Sequence, residues 1–255
     1  MQNDELRSSG KKLLCQVVPT YNETENIEAL IERIEKIRDR LSFDVRLVIV
    51  DDNSSDGTAD KVKSLAEKYD NVDLVQRAKP DGIGSAYMDG FAYSISKFNT
   101  DFVGEIDADL QHPPELLVEM TKVASTGIDI VIASRYIQGG GAADWSLGRR
   151  IVSKGANLLT RIFLRIPAAD STSGYRLLSR RAIEALSAYR ISSKGYSFQV
   201  ESLYAYKKAK MTFAEIPYTF EIRRAGKTKL SKKEMWEFAK TTIKTGVLGL
   251  RRKSA

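Results

Sequence analysis

Residues 45–58 read VRLVIVDDNSSDGT, and this stretch decides the fold. The run VRLVIV is short, apolar and rich in β-branched residues, the mark of a strand buried on both faces. It ends on Asp51 and Asp52 and then on Asn, Ser, Asp and Gly, residues that turn a chain for distinct physical reasons. A helical pattern over 58–69 follows. Strand, polar loop and helix in that order is the unit from which parallel sheets are built.

The unit recurs on either side. Upstream, LLCQVVPTY (13–21) is a buried strand ending near Pro19. Asn22 with Glu25 makes a capping-box-like start for a helix whose apolar stripe is Ile27, Leu30, Ile31, Ile34 and Leu41. Downstream come a strand at 72–77, the loop AKPDGIGSA, a helix near 84–98, a strand at 101–107, a helix at 114–126 and a strand at 129–135. The expected fold is α/β, a mostly parallel central sheet with helices on both faces. Ligands of such sheets sit beyond the carboxyl ends of the strands. The loops at 19–23, 51–56, 79–84 and 107–109 all fall there.

After residue 135 the alternation loosens. YIQGGGAADWSLGRR is a long glycine-rich segment, expected to close over a bound ligand. Helices are expected at 149–165 and 194–208, and a strand at 213–222. A last helix at 231–250 aligns Trp236, Ala239, Ile243, Val247 and Leu250 on one face. The chain thus divides into a flexible lead at 1–12, a body at 13–230 and a basic amphipathic helix at 231–255.

The chain has 255 residues, 42% of them hydrophobic, enough for one larger domain with an appendage. Its net charge of +7 is uneven: from Arg223 onward eleven Lys and Arg face two Glu, a balance of +9, so residues 1–222 carry −2. A basic tail on an acidic body argues against a nucleic-acid protein, which would show a broad basic face. It points to a local anionic partner such as phosphates or a lipid surface. Cys15 lies in an apolar run and has no second cysteine to pair with, which fits a reducing compartment. There is no signal-peptide pattern and no apolar stretch long enough to span a membrane. A single histidine, His112, nearly excludes histidine-based zinc sites and leaves one candidate for a histidine base.

The chemistry concentrates in EIDADLQHPPELL (105–117). If extended, Asp107, Asp109 and Gln111 share one face, and all three offer oxygens, which suits Mg²⁺ or Mn²⁺ better than zinc. Mg²⁺ fills its remaining positions with substrate phosphates, so such a site implies a diphosphate ligand. An ordinary acidic turn is the plainer reading. Asp51 and Asp52 suit a base or ribose, or else an Asx-turn and helix cap. Arg135, Arg149, Arg150, Arg223 and Lys229 sit near loops, singly as surface charges or together as a phosphate site. The 231–250 helix packs on the body, lies in a membrane interface, or docks on a membrane partner.

Taken in order, VVPTYNETENI, IVDDNSSDGT, DADLQHPPELL, ASRY, the W-x-x-x-R that precedes VSKGAN, SGYRL, KGYSFQVE and F-x-x-R-x-x-G-x-T-K-L resemble the family-2, GT-A type glycosyltransferases, and among them the polyprenol (dolichol) phosphate mannose synthases. The resemblance runs from about residue 13 to 231. It implies transfer of mannose from GDP-mannose to a polyprenyl phosphate, with inversion, aided by Mg²⁺ or Mn²⁺, at the cytoplasmic face of a membrane or on small membrane partner subunits. Position by position it implies that Pro19, Tyr21, Glu23, Asp51, Asp52, Lys79, Asp107 and Arg135 hold the nucleotide sugar. Asp107, Asp109 and Gln111 would bind the metal. Arg149, Ser153, Arg223 and Lys229 would take the acceptor phosphate, with Asp109, Arg149, Arg223 and Lys229 catalytic. The family's late motif commonly has Ser where this chain has Thr228, and the hydroxyl is kept. Transfer of glucose from UDP-glucose on the same scaffold, and a non-catalytic nucleotide- or lipid-phosphate-binding module, are the competing readings.

Overall fold

Along β1 (Leu13–Thr20) alternate side chains enter two different cores. Leu14 and Val18 join one, and Leu13, Cys15 and Val17 the other. β2 (Asp44–Asp51) does the same, with Val45, Leu47 and Ile49 on one side and Val48 and Val50 on the other. This is the period-two consequence of a pleated strand buried on both faces. The computed structural model describes residues 10–142, 145–193, 195–221, 232–251 and 253.

Seven strands form one sheet. The others are β3 (Val72–Gln76), β4 (Phe102–Glu105), β5 (Ile130–Ser134), β6 (Arg176–Ser179) and β7 (Phe213–Pro217), in the order β3-β2-β1-β4-β6-β5-β7. β6 runs antiparallel to both its neighbours, and the remaining pairings are parallel. The expected mostly parallel α/β architecture is therefore present. Helices α1 (Ile27–Glu35), α2 (Thr58–Lys68) and α4 (Leu117–Ser125) cover one face. Helices α3 (Ile83–Phe98), α6 (Arg180–Ser187) and α7 (Phe198–Lys208) cover the other. α3 lies unusually close to the sheet, because a Cβ on Gly90 would stand 2.4 Å from Val17 Cγ1. α5 (Leu147–Leu164) packs against α8 (Lys232–Leu248), beyond the two-faced core. There a Cβ on Gly246 would stand 2.7 Å from the Phe163 carbonyl oxygen, so glycine sets the helix separation.

Four local expectations change. Asn22 does not cap α1; that helix starts five residues later, and Asn22 takes a left-handed φ of 57°. Leu41 is buried, but beyond the end of α1 and a short 3₁₀ turn at Arg38–Arg40. β6 and α6 were not expected. β6 is only four residues long and opens on Arg176, a charge that speaks against a buried strand until its opposite neighbour, Glu105, is known.

Candidate active site

The carboxyl ends of β1 to β5 lie along one edge, and their loops are tied together there. The Asn22 backbone N–H donates to Ser54 Oγ, and its side-chain oxygen accepts from the Ser55 N–H. The Glu23 and Thr24 N–H groups donate to Thr58 Oγ1 and Asp56. Asp51 is fully buried, and its oxygens accept from Thr20 Oγ1 and from the Ser54 hydroxyl and N–H. Asp51 thus organises the loop. Asp52, also buried, pairs with Arg77, which also reaches Ser85 and Asp89 at the start of α3. Burial pushes the Asp52 carboxyl up, and Arg77 pulls against it. Tyr21 is exposed, Pro19 and Glu23 are half-buried, and Lys79 is exposed on the loop before α3. These residues form a rim beside a cavity whose lining excludes them.

That cavity holds about 580 Å³. Asp107, Asp109, Gln111, Arg135, Arg149 and Ser153, scattered over 47 positions of sequence, all line it. Arg223 and Lys229 lie outside the described residues. The acidic stretch is not extended. Leu110 has a φ of 62°, and the Asp109 carboxylate accepts from the Gln111 N–H, so the metal-ligand candidates sit on a tight turn. Asp107 is a third exposed at its side chain, whereas Asp109 is buried. The Gln111 amide nitrogen donates to the Glu221 carbonyl, which orients its oxygen. Among the described residues no three His, Cys, Asp or Glu side chains form a metal cage. Two carboxylates and an amide oxygen still suit a hard cation that keeps other positions for phosphate oxygens.

His112 packs among Tyr175, Tyr218 and Phe220. Its Nδ1 accepts the Asp107 backbone N–H at 3.5 Å, and burial pushes its pKa down to about 4. The imidazole is neutral at neutral pH and shapes the acidic turn. Arg135 closes its guanidinium fork on Asp170, with two bonds of 2.7 Å, and also donates to Thr172. Burial alone would raise the Asp170 pKa, but Arg135 more than offsets it and holds the carboxyl below its usual range. Arg149, on the first turn of α5 after the Ser146 cap, lies over the Trp145 ring at 4.2 Å. Asp170, Arg77, Trp145 and Gln199 escaped the sequence reading. Trp145 and Gln199 do lie in motifs that carry the family resemblance, W-x-x-x-R and KGYSFQVE, but neither was assigned a role.

Between α5 and α8 the cavity lining is mainly apolar, with Glu234 the exception on α8. Val152 and Leu159 of α5 face Met235, Phe238 and Ala239 of α8. The stripe predicted on α8 therefore splits: Ala239 faces the cavity, while Trp236 and Val247 are 72% and 70% exposed. On α5, Leu147 and Ile151 are 77% and 70% exposed. Among the described residues, the large apolar side chains that stand exposed all lie on these two helices, Tyr21 apart.

Comparison with known proteins bears on family and fold. The family described as Glycosyl transferase family 2 matches residues 15–187. A dolichol-phosphate mannosyltransferase of Pyrococcus furiosus is 36% identical over 87% of this chain, which spans 60% of that relative's length. A polyprenol monophosphomannose synthase of Mycolicibacterium smegmatis is 32% identical over 91% of the chain and 86% of the relative. An undecaprenyl-phosphate mannosyltransferase of Micrococcus luteus is 34% identical over 84% of the chain and 86% of the relative. Among solved structures, glucosyl-3-phosphoglycerate synthase from Mycobacterium tuberculosis, in complex with Mn²⁺, uridine diphosphate and glucosyl-3-phosphoglycerate, superposes with a TM-score of 0.66. It is 18% identical, with 98% of this chain and 89% of that one covered. At that identity the likeness concerns the fold.

Proposed function

The chain belongs to glycosyl transferase family 2, and from that premise we propose that it moves mannose from GDP-mannose to the phosphate of a polyprenyl (dolichyl) lipid, with inversion, at the cytoplasmic face of a membrane. The observation that carries this reading is the two-ended cavity. One end gathers carboxylates, an amide and arginines, and the other, walled by α5 and α8, is mainly apolar. A sugar diphosphate suits the first end and a phosphorylated hydrocarbon spans both. The names of the three relatives support the lipid-phosphate acceptor and the mannose.

The rim at Pro19, Tyr21, Glu23, Asp52 and Lys79 receives the nucleotide, with Asp51 holding the loop behind it. Asp107, Asp109 and Gln111 would hold Mg²⁺ or Mn²⁺, a choice supported by the Mn²⁺ in the M. tuberculosis complex. Such a cation supplies Lewis-acid stabilisation to a departing diphosphate. Arg149 and Ser153 take the acceptor phosphate on the first turns of α5, where the helix N-terminus also favours an anion; Arg223 and Lys229 complete this set. An acceptor oxygen attacks the anomeric carbon from the face opposite the diphosphate. The carbon–oxygen bond to the diphosphate breaks and GDP leaves. A phosphate acceptor needs no deprotonation, which agrees with a His112 too weakly basic to serve. Placing the two anions in line, under fixed positive charge, supplies much of the barrier reduction.

The exposed row on α5 and α8 lies against the bilayer, with Arg150, Lys154, Lys240 and Lys244 exposed on the same two helices to meet anionic headgroups. No helix among the described residues is long and apolar enough to cross a membrane. Ile151→Glu with Val247→Glu is expected to abolish co-flotation with vesicles containing phosphatidylglycerol while GDP binding stays unchanged. Unaltered flotation, or wild-type protein that floats only with a membrane subunit present, contradicts direct docking. For the acceptor, transfer to polyprenyl phosphate is expected and transfer to 3-phosphoglycerate is not. The reverse pattern overturns the lipid assignment.

A further inference from the structure

Two motifs have no part in the reading above: SGYRL (173–177) and KGYSFQVE (194–201). They meet at Arg176. This side chain is fully buried and stands opposite Glu105 in the antiparallel β4–β6 register. A buried arginine beside a buried glutamate suggests a simple counter-ion. The distances say otherwise. The closest approach of guanidinium to carboxylate is 4.0 Å, the outer limit of an ion pair. The shorter contacts go to backbone carbonyls: Nη2 donates to Ser171 O at 3.0 Å and Nη1 to Gln199 O at 3.1 Å, with Ser202 Oγ at 3.4 Å.

Those carbonyls belong to two different walls of the cavity. Ser171 opens the turn that carries Thr172 and Gly174, and Gln199 sits on the first turn of α7. The point where a Cβ on Gly174 would stand is 3.8 Å from Asp107 Oδ2, from Gln199 Nε2 and from His112 Cε1. Three elements thus converge there, and Thr172 on the same turn accepts from Arg135. Arginine suits this task because its planar fork holds several acceptors at fixed separation, which a lysine point charge cannot do.

We propose that Arg176 is a positioning residue for sugar transfer, spanning from beneath the cavity to fix the 171–174 turn and the start of α7 against the Asp107 turn. It touches neither substrate nor reacting atoms. This inference rests on the cavity being the transfer site. Its test separates the two roles. Arg176→Met alone strands Glu105 and is expected to lose much stability; Arg176→Met with Glu105→Gln removes both charges and should recover most of it. A counter-ion role predicts that turnover recovers too. The positioning role predicts that kcat stays down by roughly tenfold to a hundredfold, with donor KM and GDP affinity within about twofold of wild type. Arg176→Lys keeps the charge and should show the same kcat loss in a folded protein. Independently of any activity, hydrogen exchange at residues 171–174 and 195–199 should quicken in the double variant and in Arg176→Lys. Wild-type kcat with unchanged exchange in either overturns the proposal, as does a loss of GDP binding in step with kcat. If wild-type protein transfers no sugar, the functional reading fails while the exchange measurement still decides the positioning role.

Discussion

Asp107 and Asp109 are two positions apart and in different surroundings. Asp109 is buried and accepts the Gln111 N–H, whereas Asp107 is partly exposed and sits beside His112. Asp109→Ala is expected to reduce metal-dependent turnover by roughly a hundredfold or more, with the circular dichroism of the fold unchanged; retained turnover contradicts its role. In the sequence His112 was no more than the one candidate for a histidine base. It now has a role, as the acceptor that bends the acidic turn. His112→Phe keeps the aromatic packing and removes that acceptor, so it should cost about 1 kcal/mol of stability and several-fold in kcat. Arg135 makes the opposite point. Its fork is closed on Asp170, so it builds the cavity wall. Asp170→Asn leaves that guanidinium buried without its counter-charge and should lose roughly 3–5 kcal/mol in denaturant unfolding. Such partners are invisible in sequence because Asp170 lies 35 positions away in a stretch with no pattern of its own.

At the scale of elements, the strands that announced themselves were those with uniform environments. β1, β2 and β5 are buried on both faces, and their apolar runs say so. β6 was illegible because its opening residue is an arginine whose burial rests on carbonyls of Ser171 and Gln199 and on Glu105 of the next strand, a tertiary fact. The capping pattern at Asn22 misled for a related reason: the same side chain that caps a helix also pins a neighbouring loop, and here the loop prevails. On α8 the periodicity found the apolar face but not its direction. The helix meets α5 at Gly246 and buries Thr242 and Thr245, residues no hydropathy pattern selects, while Trp236 and Val247 turn outward. The segment 136–148 has Gly141 bonded beside Thr219 and Trp145 set edge-on to Phe220. We propose that it closes over the donor. Proteolysis within 136–148 should slow several-fold when GDP-mannose and Mn²⁺ are added together; unchanged cleavage contradicts closure.

For the molecule as a whole, topology brings the chemistry together. Parallel strands deliver four acidic or polar loops to one edge, and the two helices outside the sheet extend that edge into an apolar surface. The sequence located the edge and, through its resemblance to known enzymes, six of the residues that line the cavity: Asp107, Asp109, Gln111, Arg135, Arg149 and Ser153. It could not show that α8 walls the same cavity, since nothing in a 3.6-residue period names a partner. The core also shields Cys15, whose thiol burial pushes up to about 11, so alkylation at pH 8 should require unfolding. The central claim is tested most directly by incubating the protein with polyprenyl phosphate vesicles and labelled GDP-mannose or UDP-glucose, with and without EDTA. Label is expected in the lipid from GDP-mannose alone, and only while the divalent cation remains. Lipid labelling from UDP-glucose but not GDP-mannose would contradict the account.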